Sequence, residues 1–252
     1  MNYFDLHIIT CGATAQRLQS LLGSLSPTIN HPLLMQCRLI ASDDIGWLDE
    51  KVFSPLAWDL HIRQISHILA LNIRDCIKIH NGRQIGLSNV IENCGEIYFP
   101  RRNLRKSEKS LLWKHYKSLD LVTRPTLILE DDAQLEEGGL CVLQDLLQIT
   151  GSEEVHIDLG YMQGLSKRGR LVDFVDGVSF YRLNLAMTRT TTAFLVTPKV
   201  AQTLASSFWP CSLPADLHMQ YLLVNHNISG IWPVSTVFTG MRTVGLLQSS
   251  IQ

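Results

Sequence analysis

Three consecutive acids, Glu130, Asp131 and Asp132, follow directly on the apolar run Thr126-Leu127-Ile128-Leu129. Carboxylates this close repel one another unless something neutralises them. An all-oxygen donor set suits a hard divalent cation, Mg2+ or Mn2+, completed by water and substrate phosphate oxygens. Such a cation stabilises charge that develops on a departing phosphate-bearing group. The same triplet, continued by Glu136 and Glu137, also reads as the acidic opening of a helix, where negative charge complements the helix dipole.

The elements that position these acids alternate short apolar runs with helical periods, the mark of an α/β fold. Phe4 to Ile9 reads as a first strand. Leu18, Leu21, Leu22 and Leu25 then recur at helical spacing, in a helix expected to close at Ser26-Pro27. Strands are expected at Met35 to Ala41, Glu96 to Phe99, Pro125 to Leu129, Val155 to Leu159, Thr191 to Thr197 and Ile231 to Val234. Helical periods occupy Leu60 to Ile79, Ser107 to about Leu119 with Ser107 as N-cap, and the stretch through Leu140, Leu143, Leu146 and Leu147. Another helix begins at Pro198 and a last one near Asp216, ahead of an irregular tail. Residues 162–184 read as a long loop or a two-stranded flap, with Lys167, Arg168 and Arg170 suited to a lid. No repeat, low-complexity tract or linker interrupts the chain, so a single domain over 1–252 is expected, with a mostly parallel sheet flanked by helices. In such sheets ligands bind beyond the carboxyl ends of the strands, which is where the acid triplet falls.

Composition narrows the function. Hydrophobic residues make up 46% and charged residues 18% of 252, enough for a real core, and the net charge of -1 gives no field that would draw in nucleic acid. The cysteines are scattered without a Cys-x-x-Cys pair and read as reduced, buried thiols. The N-terminal residues lack the layout of a signal peptide and no apolar stretch has the length of a spanning helix, so a cytoplasmic protein is expected. Arg101, Arg102, Arg105, Lys106, Lys109, Lys114 and Lys117 form a basic stretch. It reads first as a solvated face, and is of a kind to rest peripherally on anionic lipid.

Several segments, in order, resemble glycosyltransferase family 25, the group of lipooligosaccharide sugar transferases and collagen galactosyltransferases. Leu129-Glu130-Asp131-Asp132-Ala133 is similar to its acidic signature. Ser107 to His115 resembles its Gly-Glu-Ile-Gly-Cys-x-x-Ser-His segment, with Glu108 and His115 at the same spacing. Thr192 to Thr197 with Ala201 resembles its late strand and helix, Pro214-Ala215-Asp216 its Pro-Val-Asp turn, and Gln248 to Ile251 its tail. Arg17 falls where the family has an arginine, whereas Thr10-Cys11 replaces its Asn-Leu. The agreement does not extend across residues 28–103.

The resemblance implies a GT-A (Rossmann-like) fold, a nucleotide-sugar donor of the UDP-galactose kind, a glycan or lipid-linked glycan acceptor, and inversion at the anomeric carbon. It places Asp132 on the metal, with Glu130 as a second ligand or, like Asp131, in contact with metal-bound water or ribose. Thr10, Arg17, Glu108 and His115 join the donor site, with His115 reading equally as a buried, hydrogen-bonded anchor of its helix. Inversion needs a base for the acceptor hydroxyl. Asp216 is the candidate, reading equally as a helix N-cap, and Asp158 is its rival or an acceptor ligand. His218 reads as a solvent-facing residue or a further metal ligand. Two other functions share these residues: a metal-dependent phosphoryl or nucleotidyl transferase, and a non-catalytic protein that binds nucleotide or glycan.

Overall fold

The structure, a computed structural model, describes residues 3–10, 15–30, 32–41, 104–151, 153–160, 170–173, 179–183, 190–211 and 213–240. The expected helix at Leu60 to Ile79, the strand at Glu96 to Phe99, Lys167, Arg168 and the tail motif at Gln248 to Ile251 lie outside these residues.

In chain order the elements are β1 (Phe4–Ile9), α1 (Ala15–Ser24), α2 (Ser26–Ile29), β2 (Leu34–Ile40), α3 (Lys106–Asp120), β3 (Thr126–Glu130), β4 (Ala133–Leu135), α4 (Gly139–Ile149) and β5 (His156–Asp158). There follow β6 (Arg170–Asp173), β7 (Ser179–Leu183), β8 (Ala193–Val196), α5 (Pro198–Ser206), α6 (Ala215–Asn225), β9 (Gly230–Pro233) and β10 (Phe238–Gly240). An 8-stranded sheet has the order β2-β1-β3-β8-β5-β9-β7-β6. Strands β2, β1, β3, β5, β9 and β6 run in one direction, and β8 and β7 run against them. The sheet is thus mostly parallel by strand direction, with antiparallel strands inserted on either side of the β5–β9 pair.

Period-two alternation puts successive side chains on opposite faces, and both faces are covered. Ile9, Ile128, Phe194 and Val196 meet α3, α5 and α6 on one side, while Leu6, Ile8, Leu127, Leu129, Ile157 and Leu195 meet α1 and α4 on the other. Glu130 has the parity of Ile128, and Asp158 that of His156, so both belong to the face that carries α3 and α6. This is how a chain with near-continuous apolar runs still delivers acids to one side of its sheet edge.

Some local readings change. Ser26-Pro27 opens the short helix α2 instead of closing α1, since proline is tolerated in a first helical turn, where its missing N–H has no partner to lose. Helix α3 begins a residue before the expected N-cap: Arg105 occupies that position, and Glu108 reaches back to accept the Arg105 N–H at 2.7 Å. The flap at 162–184 contributes β6 and β7, which extend the main sheet through β9. Within the irregular tail, Phe238–Gly240 pairs antiparallel with Ala133–Leu135 in a second small sheet. Cys211 is buried, but Cys37 and Cys141 are exposed thiols, contrary to the reading of their apolar surroundings: Cys37 lies on the edge strand β2, exposed on both faces through Met35–Cys37, and Cys141 lies on the outward side of α4.

That small sheet also fixes the start of α4. Gly138 adopts φ 75°, a left-handed conformation open to glycine, and a Cβ on Gly139 would meet the Val237 carbonyl oxygen at 2.8 Å. Gly139→Ala should therefore force backbone apart and cost about 1–3 kcal/mol, readable as a lowered melting temperature with unchanged far-ultraviolet circular dichroism.

Candidate functional site

The carboxyl ends of β1 and β3, the entry to β8, and the first turns of α3 and α6 meet at one edge of the sheet. Helix N-termini aim backbone N–H groups at this edge, and ligands of open α/β sheets bind beyond the carboxyl ends of the strands. A cavity of about 190 Å³ opens there, lined by Glu108 and Leu111 of α3, Glu130 of β3, Thr190, Thr191 and Thr192 ahead of β8, and Pro214, Ala215 and Asp216 at the start of α6. Three separate elements thus bring Glu108, Glu130 and Asp216, residues far apart in sequence, to one space.

Glu130 is anchored from two other segments of the chain. Its Oε1 accepts the Thr191 hydroxyl at 2.7 Å and lies 3.1 Å from His115 Nε2. A carboxylate only accepts, so the ring nitrogen facing it carries the proton. His115 is 1% exposed, stacks on Phe194 with ring centroids 6.0 Å apart, and its Nδ1 has no hydrogen-bond partner among the described residues. The Glu130 backbone N–H donates to the Thr192 carbonyl at 2.8 Å. The β3 end and the threonine ridge are therefore tied at both main chain and side chain.

Asp216 stands in the first turn of α6, after the N-cap Pro214. Its side chain is open to solvent, yet protein walls surround it, and this desolvation is the main reason its carboxyl is held above the ordinary range. The Leu217 N–H, through a hydrogen bond, acts in the opposite direction, Glu130 adds to the rise, and His115 lowers it. A reluctant carboxylate in a cleft is the kind of group that takes a proton from a bound hydroxyl.

The other acids face elsewhere. Asp131 is buried and accepts the hydroxyl of Thr10, at the end of β1, at 2.9 Å. Asp132 is buried in the turn that leads to β4. The triplet is thus divided: Glu130 joins the cavity, while Asp131 pairs with the end of β1. Among the described residues no three His, Cys, Asp or Glu side chains converge closely enough to hold a metal by themselves. The donor chemistry fits a magnesium-like ion that keeps mostly water and substrate oxygens and takes one or two carboxylates from the protein. It does not fit a closed protein cage.

Asp158 is fully buried and accepts the Gly160 N–H at 3.0 Å. Gly160 packs so closely on Thr190 that a Cβ there would fall 2.5 Å from its hydroxyl oxygen. Asp158 therefore stands behind the threonine wall, outside the residues that line the cavity. Arg17 belongs to α1. His218 is buried, not solvent-facing, and its Nε2 donates to the Phe208 carbonyl at 2.8 Å. Burial lowers its pKa to about 4, so it is a neutral internal strut. Of the basic stretch, Lys106 is exposed whereas Lys114 is buried among the helices.

The threonines at 190–192 are site residues that the sequence does not single out. Only their run of hydroxyls just before an apolar strand signals them, and that pattern is equally common in ordinary strand entries.

No protein-family model matches the chain, and no curated protein matches it. Among solved structures, the inositol-1-phosphate CTP transferase from T. maritima is similar over 100% of this chain and 94% of its own, at 13% identity and a TM-score of 0.39. Mouse xyloside xylosyltransferase 1, in its apo form, is similar over 90% of this chain and 83% of its own, at 10% identity and a TM-score of 0.33. Likenesses this distant carry no weight for the fold or the activity of this chain. Among the described residues no helix is long and apolar enough to cross a membrane.

Proposed function

We propose that the protein is a glycosyltransferase of the GT-A kind that moves a hexose from a nucleotide sugar to a hydroxyl of a glycan acceptor, with inversion. The observation that carries this reading is the convergence of Glu108, Glu130 and Asp216 on one cavity beside the buried pair Asp131 and Asp132, at the carboxyl edge of an α/β sheet. A general base and a separate acidic corner for a nucleotide's metal are the two parts such a transfer needs. The motif resemblance to family 25 supports the same reading and makes galactose from UDP-galactose the preferred donor, and a surface polysaccharide or lipooligosaccharide the preferred product.

In this reading Asp216 accepts the proton of the acceptor hydroxyl as its oxygen forms a bond to the anomeric carbon and the bond to the nucleoside diphosphate breaks on the opposite side. Glu108 and Glu130 accept hydrogen bonds from sugar hydroxyls, and Thr10 fixes Asp131 at the end of β1. A divalent cation, Mn2+ or Mg2+, would be held by Asp132 and would supply neutralising charge for the departing diphosphate. The residues described along the cavity include no lysine or arginine, which favours an uncharged hydroxyl over a phosphorylated acceptor.

Thermal shift with UDP, GDP and CMP, each with and without Mn2+, tests the reading. One nucleotide should stabilise the fold, and more so with metal; at a hundred times its dissociation constant the gain is about 2.7 kcal/mol. Failure of every nucleotide to move the melting temperature at saturation would overturn it.

A further inference from the structure

Glu130 carries two assignments that cannot both be primary: a carboxylate of the donor's metal corner, by its place in the acid triplet, or a wall of the cavity that holds Asp216. Its surroundings decide between them. Two donors from different elements, Thr191 Oγ1 and His115 Nε2, converge on the one oxygen Oε1 at 2.7 and 3.1 Å. Both donors are buried, at 6% and 1% exposure, so neither bond is diluted by exchange with bulk water. Glu130 and Asp216 line the same cavity, whereas Asp131 turns to Thr10 and Asp132 enters the next turn.

We infer that Thr191 and His115 are positioning residues that hold Glu130 as an acceptor-side carboxylate, on the cavity wall it shares with Asp216, and keep it out of the donor's metal corner. This rests on the transferase reading above and assigns one of its carboxylates to the acceptor subsite. The physical basis is geometric. A glutamate side chain has three rotatable carbon–carbon bonds, and two fixed donors on one oxygen reduce its accessible rotamers to those that keep that oxygen against α3 and the threonine ridge. The chemistry of the subsite follows from its lining. Glu108, Glu130, Asp216 and the hydroxyls of Thr190, Thr191 and Thr192 present acceptors that match sugar hydroxyls and repel phosphate.

Three variants test the assignment: Thr191→Val, which keeps the shape and removes the donor, Thr191→Ser, which restores it, and Glu130→Gln. Acceptor KM and kcat are measured along with the Mn2+-dependent part of the nucleotide thermal shift. Thr191→Val should raise acceptor KM or lower kcat about tenfold, the loss expected for one hydrogen bond to a charged group. Thr191→Ser should return most of it, and Glu130→Gln should keep the Mn2+-dependent shift. Kinetics unchanged in Thr191→Val, no rescue by Thr191→Ser, or a Mn2+-dependent shift lost in Glu130→Gln would each overturn the assignment.

A wild-type protein with neither turnover nor a nucleotide shift would refute the transferase reading. The positioning geometry is then decided by the nitrogen NMR spectrum of labelled histidine. His115 should show a protonated Nε2 whose resonance moves in Glu130→Gln and in Thr191→Val. A His115 resonance indifferent to both variants would overturn the geometry.

Discussion

Asp216→Asn should abolish turnover while leaving donor binding intact. A general base contributes about 10²–10⁴-fold, so kcat should fall by that factor, which corresponds to roughly 3–5 kcal/mol of barrier. The nucleotide thermal shift, with and without Mn2+, should match wild type, because Asp216 sits with Glu108 and Glu130 in the cavity and apart from the Thr10–Asp131 pair. The wild-type profile carries a matching signature. The working base is the ionised form, and desolvation by the surrounding walls, with help from Glu130, holds this carboxyl above the ordinary range. The acid limb of kcat should therefore lie at higher pH than for an unperturbed aspartate.

The same shift fixes the sign of the stability change. A carboxyl whose folded pKa exceeds its unfolded value favours the folded state while protonated, and that contribution is lost as pH rises through the folded pKa. At neutral pH the ionised Asp216 is thus a burden that asparagine relieves. Asp216→Asn should melt no lower than wild type at neutral pH, with any advantage fading in acid. A variant that keeps more than about a tenth of wild-type kcat, well short of the loss expected on removing a base, would remove Asp216 from the chemistry. One that melts well below wild type at neutral pH would make it a structural cap.

Much of this arrangement was legible in the residues. Each central strand that delivers a site residue is a short apolar run with a turn or an acid at its end, and β1 falls where the run Phe4 to Ile9 places it. The spacing of Glu108 and His115 puts them on one side of α3, where one lines the cavity and the other bonds Glu130, whereas Glu130 and Asp158 share a face only through the register of β3 and β5 on β8. What remained illegible depends on tertiary contact. Nothing local says that Asp131 and Glu130 part company, since their neighbours Thr10 and Thr191 lie 121 and 61 residues away. The burial of His218 depends in the same way on Phe208, which receives its hydrogen bond and stacks on it edge-on at 4.8 Å. Pairing of β4 with β10 joins segments that are each three residues long, too short to show a period.

Asp132→Asn is the second large effect, and it separates the acids that sequence alone lumps together. If a cation at Asp132 neutralises the departing diphosphate, its loss removes several kcal/mol of charge stabilisation, so turnover should drop by more than about a hundredfold. The Mn2+-dependent part of the nucleotide shift should vanish and any metal-independent part remain. The two neighbours of Asp132 are already engaged. Glu130 is pinned by Thr191 and His115 on the cavity side, and Asp131 is committed to Thr10. Asp131→Asn, which keeps an oxygen for the Thr10 hydroxyl, should therefore have the smaller effect. Added Mn2+ should raise the melting temperature of wild type more than that of Asp132→Asn. Equal losses from Asp131→Asn and Asp132→Asn would instead mean that the triplet acts as one electrostatic unit with no single metal ligand. An Asp132→Asn protein that keeps its full Mn2+ response would place the cation elsewhere.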